Sequence, residues 1–421
     1  LSRFFNLICG LSRLRNRYKI FKKDDLQEEA PLFSRNSFTK AGTRLPFVNG
    51  NRKRGVSMGK LRVGLLYGGR SGEHEVSVLS ANSVLAAIDR DKYEVYPIGI
   101  TKDGQWLPGQ SPQPLVASQD LQVRLLTDGA ATDRPTALAL ENRDGRILSG
   151  LRGTLDVIFP VMHGPFGEDG TIQGLLEVID LPYVGGGVLA SAVGMDKAMM
   201  KAVFQQKGFS VGPYLAYLRK ELADFSHVAA EVEGELGYPC FVKPANLGSS
   251  VGISKAHDRE SLQKALLYAA EFDRRLVVEQ MLTGKEIECA ILGNDDPQAS
   301  VAGEIIPCAE FYDYEAKYVL GDSKLIIPAD LAPELLRQVQ DLAVRAFKAI
   351  DCSGLARVDF FVDDRAAKIY LNEINTLPGF TRISMYPKLW EASGIGYVEL
   401  IDRLLQLALE RFADKSRNRQ K

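Results

Sequence analysis

The sequence predicts an α/β (α+β) protein of three parts behind a basic leading segment, on three observations. Short β-branched runs alternate with amphipathic stretches from residue 61 onward, the order of α/β units. A chain of 421 residues exceeds one ordinary domain. An apolar share of 45% with 25% charged residues belongs to a folded globular chain.

Residues 1–57 depart from that pattern. They hold 13 Lys/Arg against 4 Asp/Glu, whereas the remainder holds 39 against 49. They lack sustained periodicity, so a disordered or artefactual extension is expected, with Met58 as the true start. A targeting peptide around FFNLICGL and a basic nucleic-acid-binding arm are the alternatives. The body has no basic surplus to suggest nucleic acid or an anionic membrane. No apolar run approaches the roughly 18 residues a membrane helix needs. Cys9, Cys240, Cys289, Cys308 and Cys352 are scattered without metal or redox spacing, which favours reduced thiols and a cytoplasmic protein.

The first part, 58–187, opens with the buried-type strand LRVGLLY (61–67). The turn GGRSGEHEVS, a helix over 76–88 and a strand over 94–100 follow. The GG pair is not GxGxxG, so a dinucleotide fingerprint is not supported. Residues 108–150 are polar and irregular. LDVIFPVMHG (155–164) is another buried strand, with His163 at its C-terminal end, where ligands of open α/β sheets bind. The second part, 188–280, holds a helix over 196–207, the strand CFVKPA, the loop NLGSSVGIS and the strand LVVEQ. The third, 281–421, holds strands over 286–292 and 299–306, and a polar, aromatic loop over 309–324. A helix over 333–350, a hairpin over 355–381 and a terminal helix over 397–412 complete it.

The hairpin carries the densest chemistry. Its polar break, Asp363 to Ala367, reads as a five-residue connection. Strand alternation places Arg357, Asp359 and Phe361 on one face, and Leu371, Glu373 and Asn375 on one face of the partner. Symmetric closure sets Arg357 opposite Glu373. Val358, Phe360, Val362, Tyr370 and Ile374 take the other face. The oxygen-rich face suits Mg²⁺ completed by nucleotide phosphates; a solvated surface ion pair is the plain alternative.

Other stretches are individually weaker. The small residues of Asn246–Ser254 let backbone N–H groups approach a phosphate, or simply make a tight turn. Lys243 and Lys197 are placed to meet phosphates as point charges, or lie on the surface. Glu279 stands where a strand passes into a linker and offers a carboxylate to an adenine edge, with Glu286 toward a ribose.

Taken together, GGRSGEHEVS, HGPFGEDGTIQG, MDK, VKPANLGSSVGISK, VEQMLTGKE, EFYDYEAKY, GLARVDFF and NEINTLPGFTRISMYPKLW resemble, in order and spacing, the D-alanine–D-alanine ligase family of the ATP-grasp superfamily. The resemblance covers 58–413. It implies a three-domain ATP-grasp fold, ATP between the central and C-terminal parts, and a two-step ligation of two D-alanine molecules through D-alanyl phosphate for peptidoglycan precursors. Asp359, Glu373 and Asn375 would hold two Mg²⁺ (or Mn²⁺) ions. Lys197, Lys243, Ser249 and Ser250 would meet the phosphates, and Glu279, the backbone at Leu282 and Glu286 the adenosine. Arg357 and the Gly379 N–H would face the oxyanion. Glu73 would take the first ammonium group, His163 would sit beside that D-alanine, and Lys317 and Ser384 would clamp the second carboxylate. Tyr318 would close a lid through Ser249 onto Glu73. Related D-alanine–D-lactate ligases carry a histidine in that lid, so Lys317-Tyr318 implies dipeptide synthesis. The family is commonly dimeric, which implies a homodimer without nucleic acid or membrane.

Overall fold

The computed structural model describes residues 59–109, 112, 151–306 and 324–418. The expected disordered extension, most of 108–150, and the lid with Lys317 and Tyr318 lie outside the described residues.

Three sheets appear in chain order. In the first, β1 (Leu61–Gly68) runs parallel to β2 (Tyr93–Ile100) and β4 (Val157–Pro160), with β3 (Trp106–Pro108) antiparallel on the β2 edge. Parallel pairing demands cover on both faces, and β1 is buried from Val63 onward. Helix α1 (His74–Ala87) links β1 to β2 and starts two residues before the predicted helix. Helices α2 (Thr171–Val178), α3 (Val188–Met195) and α4 (Lys197–Gln206) follow. Asp196 caps α4 by accepting from the N–H groups of Ala198 and Met199.

The second sheet is antiparallel, in the order β5 (Tyr214–Leu218), β8 (Arg275–Gln280), β6 (Cys240–Pro244), β7 (Ser254–Ala256). Helices α5 (Phe225–Glu235) and α6 (Arg259–Phe272) bury Val228, Val232, Leu262 and Leu266 in the same core as Val242 and Val278.

The third sheet is antiparallel and has the order β11 (Lys324–Ile326), β10 (Gln298–Ile306), β9 (Lys285–Gly293), β12 (Gly354–Asp363), β13 (Lys368–Asn375). One face packs on α7 (Pro333–Ala349) and on α4, through Val339, Phe347, Met200 and Phe204. The opposite face gives Ala290, Leu292 and Leu355 to a core shared with the first sheet and with α8 (Met385–Ala392) and α9 (Tyr397–Lys415). The hairpin β12–β13 buries one face in the first of these cores, through Val358, Phe360, Val362, Leu371 and Ile374.

The hairpin closes differently from the symmetric expectation. Asp363 pairs with Lys368, so the turn is the four residues Asp364–Ala367. Asp363 Oδ1 accepts from the N–H groups of Arg365 and Ala366 at 3.1 and 3.0 Å. Past Leu371 the register shifts, and Asn372 is the extra residue of a β-bulge. Arg357 therefore faces Asn375, not Glu373, and Asp359 faces Glu373. The bulge also exchanges two side chains. Leu371 joins the core beside Ile374, and Tyr370, paired with Phe361, leaves it. An apolar Leu is buried more favourably than a phenol that needs a partner for its hydroxyl, so the core selects this register.

Candidate active site

The polar face of the hairpin meets material from the other two sheets. Arg357 lies between two carboxylates. Its Nε and Nη2 donate to Asp359 Oδ1 and Oδ2 at 2.8 and 2.7 Å, and Nε stands 3.0 Å from Glu288 Oε2. Burial opposes the guanidinium charge, but Asp359 and Glu288 outweigh it and raise its affinity for the proton. Asn375 Nδ2 donates to Asp359 Oδ2 at 2.9 Å and to Glu373 Oε1 at 3.5 Å. Asp359, Glu373, Arg357 and Asn375 thus form one cluster, as the sequence implied.

Asp359 and Glu373 directly oppose each other, and two carboxylates across a hairpin repel unless cations intervene. Among the described residues, no group of three His, Cys, Asp or Glu side chains forms a self-sufficient metal centre. Two carboxylates and an amide instead match Mg²⁺, which takes its remaining ligands from phosphates and water. The donor set fits such an ion once the Asn375 amide turns its oxygen inward.

The second sheet and α4 add three lysines. Lys197 Nζ donates to the Leu247 carbonyl at 2.5 Å, and its backbone N–H to Ala245 O at 2.9 Å. This ties the start of α4 to the Gly/Ser loop. Burial pulls the Lys197 ammonium below its ordinary range, while Glu373, Glu279 and Glu168 push back. Lys243 Nζ stands 2.9 Å from Glu279 Oε2, and Lys201 Nζ 3.3 Å from Glu279 Oε1. Burial alone would raise the Glu279 carboxyl, but Lys201 and Lys243 together hold it down to about 2. Lys243 is kept above its ordinary value because Glu279, with Glu373 and Glu286, outweighs burial.

In the loop, Ser249 and Ser250 both adopt the left-handed region, at φ 48° and 60°. Such backbone is costly for a residue with a Cβ, and a hydrogen bond from Ser249 Oγ to Glu73 Oε1 helps hold it. Glu73 stands just before α1, so this bond joins the first part of the chain to the second. Two glycines make room for it. A Cβ at Gly164 would come within 2.7 Å of Glu73 Oε2, and one at Gly248 within 2.9 Å.

His163 is buried three residues past β4. Its Nδ1 faces the Leu377 carbonyl at 3.1 Å and its Nε2 the Ser80 hydroxyl at 3.0 Å. A carbonyl only accepts, so Nδ1 carries the hydrogen and Nε2 accepts from Ser80. Burial lowers the His163 pKa, chiefly against Glu73, and the ring is neutral. Leu377 belongs to the segment after β13, which also bears the partly buried Gly379. Phe380 pins this segment, with its ring 5.5 Å from Phe159 and its carbonyl accepting from Tyr397 Oη at 2.5 Å. Ser384 Oγ accepts from Thr381 N at 3.1 Å. Leu282 fills the space over Gly212, where a Cβ would meet its Cδ1 at 2.9 Å. Glu286 is half-buried near the edge of β9, its backbone paired with Phe361 and Ile305.

Three residues of the site were missed by sequence reasoning. Lys201 lies one helical turn beyond Lys197, a spacing that signals a shared face. Glu288 follows Glu286 by two on β9, the period of one strand face. Glu168, in HGPFGEDG, accepts from Gly164 N at 2.8 Å. Burial, then the charge of Glu73, raises its carboxyl well above the ordinary range.

Two family models match the chain, the D-ala D-ala ligase N-terminus over residues 62–186 and the D-ala D-ala ligase C-terminus over 203–406. The D-alanine–D-alanine ligase of Ruminiclostridium cellulolyticum is 53% identical over 86% of this chain and 98% of its own length. That of Acetivibrio thermocellus is 52% identical over 84% and 97%. Among solved structures, the D-alanine–D-alanine ligase from Coxiella burnetii superposes with a TM-score of 0.69 at 35% identity, covering 85% of this chain and 96% of that one. The VanG D-Ala:D-Ser ligase from Enterococcus faecalis gives 0.67 at 31%, covering 83% and 100%. The expected α/β ATP-grasp fold holds. The chain belongs to the D-alanine–D-alanine ligase family.

Proposed function

We propose that this protein joins two D-alanine molecules into D-alanyl-D-alanine, releasing ADP and phosphate, as a cytoplasmic, homodimeric step of peptidoglycan precursor synthesis. The observation that carries the reading is the convergence of Arg357, Asp359, Glu373 and Asn375 on one hairpin face, electrostatically coupled to Lys197. Phosphoryl transfer asks for positioning and positive charge on the moving group rather than covalent help.

In this reading Lys197 and Lys243 turn from Leu247 O and Glu279 to the phosphates, and the loop at Ser249 and Ser250 closes over them. Glu279, the Leu282 backbone and Glu286 hold adenine and ribose. Asp359, Glu373 and Asn375 would hold two Mg²⁺ (or Mn²⁺) ions. Bound there, the metal would neutralise the phosphate oxygens and orient them for transfer.

The first D-alanine places its ammonium group on Glu73, beside neutral His163, and its carboxylate takes the terminal phosphoryl group of ATP. The second D-alanine, its carboxylate on Lys317 and Ser384, attacks the acyl carbon through its amine. The C–N bond forms, the carbonyl oxygen becomes an oxyanion facing Arg357 and the Gly379 N–H, and the intermediate collapses with loss of phosphate. Lid closure by Tyr318 onto Ser249 would keep water from the acyl phosphate.

Phosphate release by the purified protein, with magnesium and ATP, tests the reading. D-alanine alone should support release and give a product of dipeptide mass. Adding D-lactate should give no ester. An enzyme silent with D-alanine alone, or one that makes the ester, would overturn the assignment.

A further inference from the structure

Lys201 has no part in the reaction just described, yet its side chain is only 2% exposed. An ammonium group removed from water carries a penalty of several kcal/mol unless something nearby compensates. Its neighbours on α4, Met200 and Phe204, are core residues, and a Met or Leu would pack there at less expense. Its polar surroundings are Glu279 Oε1 at 3.3 Å and the Tyr214 ring, whose centroid lies 5.8 Å away.

Glu279 already has a cation, since Lys243 meets its other oxygen at 2.9 Å. Lys243, however, is also the residue proposed to turn to the phosphates. When it does, Glu279 would be a buried carboxylate without a counter-ion unless a second cation stayed behind. Lys201 is rooted in α4 beneath Glu279 and fits that task. Resting on the nucleotide reading above, we propose that Lys201 is a specificity-determining, positioning residue, which keeps Glu279 an obligate hydrogen-bond acceptor and thereby selects a 6-aminopurine nucleotide over a 6-oxopurine one.

The chemistry follows from donor and acceptor inventories. An ionised carboxylate only accepts, whereas a protonated one also donates. The exocyclic amine of adenine donates to the first kind. The 6-oxo group of hypoxanthine or guanine faces it oxygen to oxygen and is repelled, but bonds with the protonated form. A site that leaves a buried polar group unpaired discriminates strongly.

The test is ligation of D-alanine with ATP and with inosine triphosphate, comparing kcat/KM for the two. In Lys201→Met and Lys201→Gln, with Lys243 turned to the phosphates, the buried Glu279 is left without a cation and should take up a proton. The preference for ATP should then fall by about tenfold or more, the worth of one hydrogen bond to a charged group. The change should lie in KM for ATP, with kcat at saturation within about threefold. Lys201→Arg, which keeps the charge, should keep the preference. In the wild type the preference should stay level from about pH 5.5 to 7.5, because Lys201, which stays beside Glu279 and Tyr214 when Lys243 and Lys197 turn to the phosphates, keeps that carboxylate ionised. An acid-side fall in the wild type overturns the inference without any variant. So does an unchanged preference in a folded Lys201→Met or Lys201→Gln, if Glu279→Gln erodes it; the nucleotide reading then stands. If Glu279→Gln also leaves the preference intact, the base does not lie on Glu279 and the nucleotide reading fails too.

Discussion

Asp359 stands directly across the hairpin from Glu373, because Asn372 bulges out of the strand between Leu371 and Glu373. That one extra residue brings two carboxylates face to face, where a symmetric hairpin would have paired Glu373 with Arg357. The repulsion is tolerable with Arg357 and Asn375 bonded to Asp359, and is put to use if metal ions bind between the carboxylates. Asp359→Ala and Glu373→Ala should each lower dipeptide synthesis by about a hundredfold or more, above what loss of an outer-shell partner does. Near-normal turnover in either would refute the metal assignment.

Much of this was legible in the sequence. LRVGLLY reads as a buried strand and is one. The alternation in GLARVDFF gives the observed inward face of Val358, Phe360 and Val362, and the same alternation singles out Arg357, Asp359, Glu373 and Asn375. The bulge was not legible. Alternation alone counts residues, and only packing decides whether Tyr370 or Leu371 faces the core. Lys201, Glu168 and Glu288 escaped for a related reason. A single charged residue carries no local sign of the distant charge it will meet, and Glu73 lies far from Glu168 in the chain. The bond between Ser249 and Glu73 came from the resemblance, not from spacing.

Glu288 should matter to the rate although it meets no substrate in the proposed reading. Arg357 is gripped by Asp359 on one side and Glu288 on the other. When Asp359 shares its charge with a metal ion, Glu288 is the grip that remains. Glu288→Gln should therefore lower kcat about tenfold, in the range for groups that orient a catalytic residue, with KM for ATP nearly unchanged. Steady-state kinetics at saturating D-alanine would measure this. An unaltered kcat would show that Asp359 orients Arg357 alone.

Glu168 makes a prediction about stability. Its carboxyl is raised above the ordinary 4.5, first by burial and then by Glu73. The folded form therefore keeps its proton at pH values where the unfolded chain has lost it. Stability from this group is present below about pH 4.5 and is lost as pH rises toward the raised value. Glutamine mimics the protonated acid and retains the oxygen that accepts from Gly164. Glu168→Gln and wild type should melt alike near pH 4. At pH 7 the variant should melt higher, by about 2 °C or more. Calorimetry of the ligand-free protein would decide, and a variant that melts lower than wild type at pH 7 would reverse the sign of the argument.

The bond from Ser249 to Glu73 links the loop over the phosphates with the residue proposed to receive the first ammonium group. If loop closure and substrate binding are coupled there, breaking the bond should damage coupling more than phosphoryl transfer. Ser249→Ala should still form D-alanyl phosphate but lose part of it to water, so that ADP appears in excess of dipeptide. Tyr318→Phe, by the family resemblance, should do the same from the lid side. Glu73→Gln acts differently. It removes the charge that attracts the ammonium group, and should raise KM for the first D-alanine about tenfold or more, as loss of a charge-assisted bond of roughly 1.5–3 kcal/mol requires. KM for ATP should hardly move. Parallel assays of ADP and dipeptide would separate these effects. A ratio of one ADP per dipeptide in Ser249→Ala would mean that the bond serves the resting fold and not the exclusion of water.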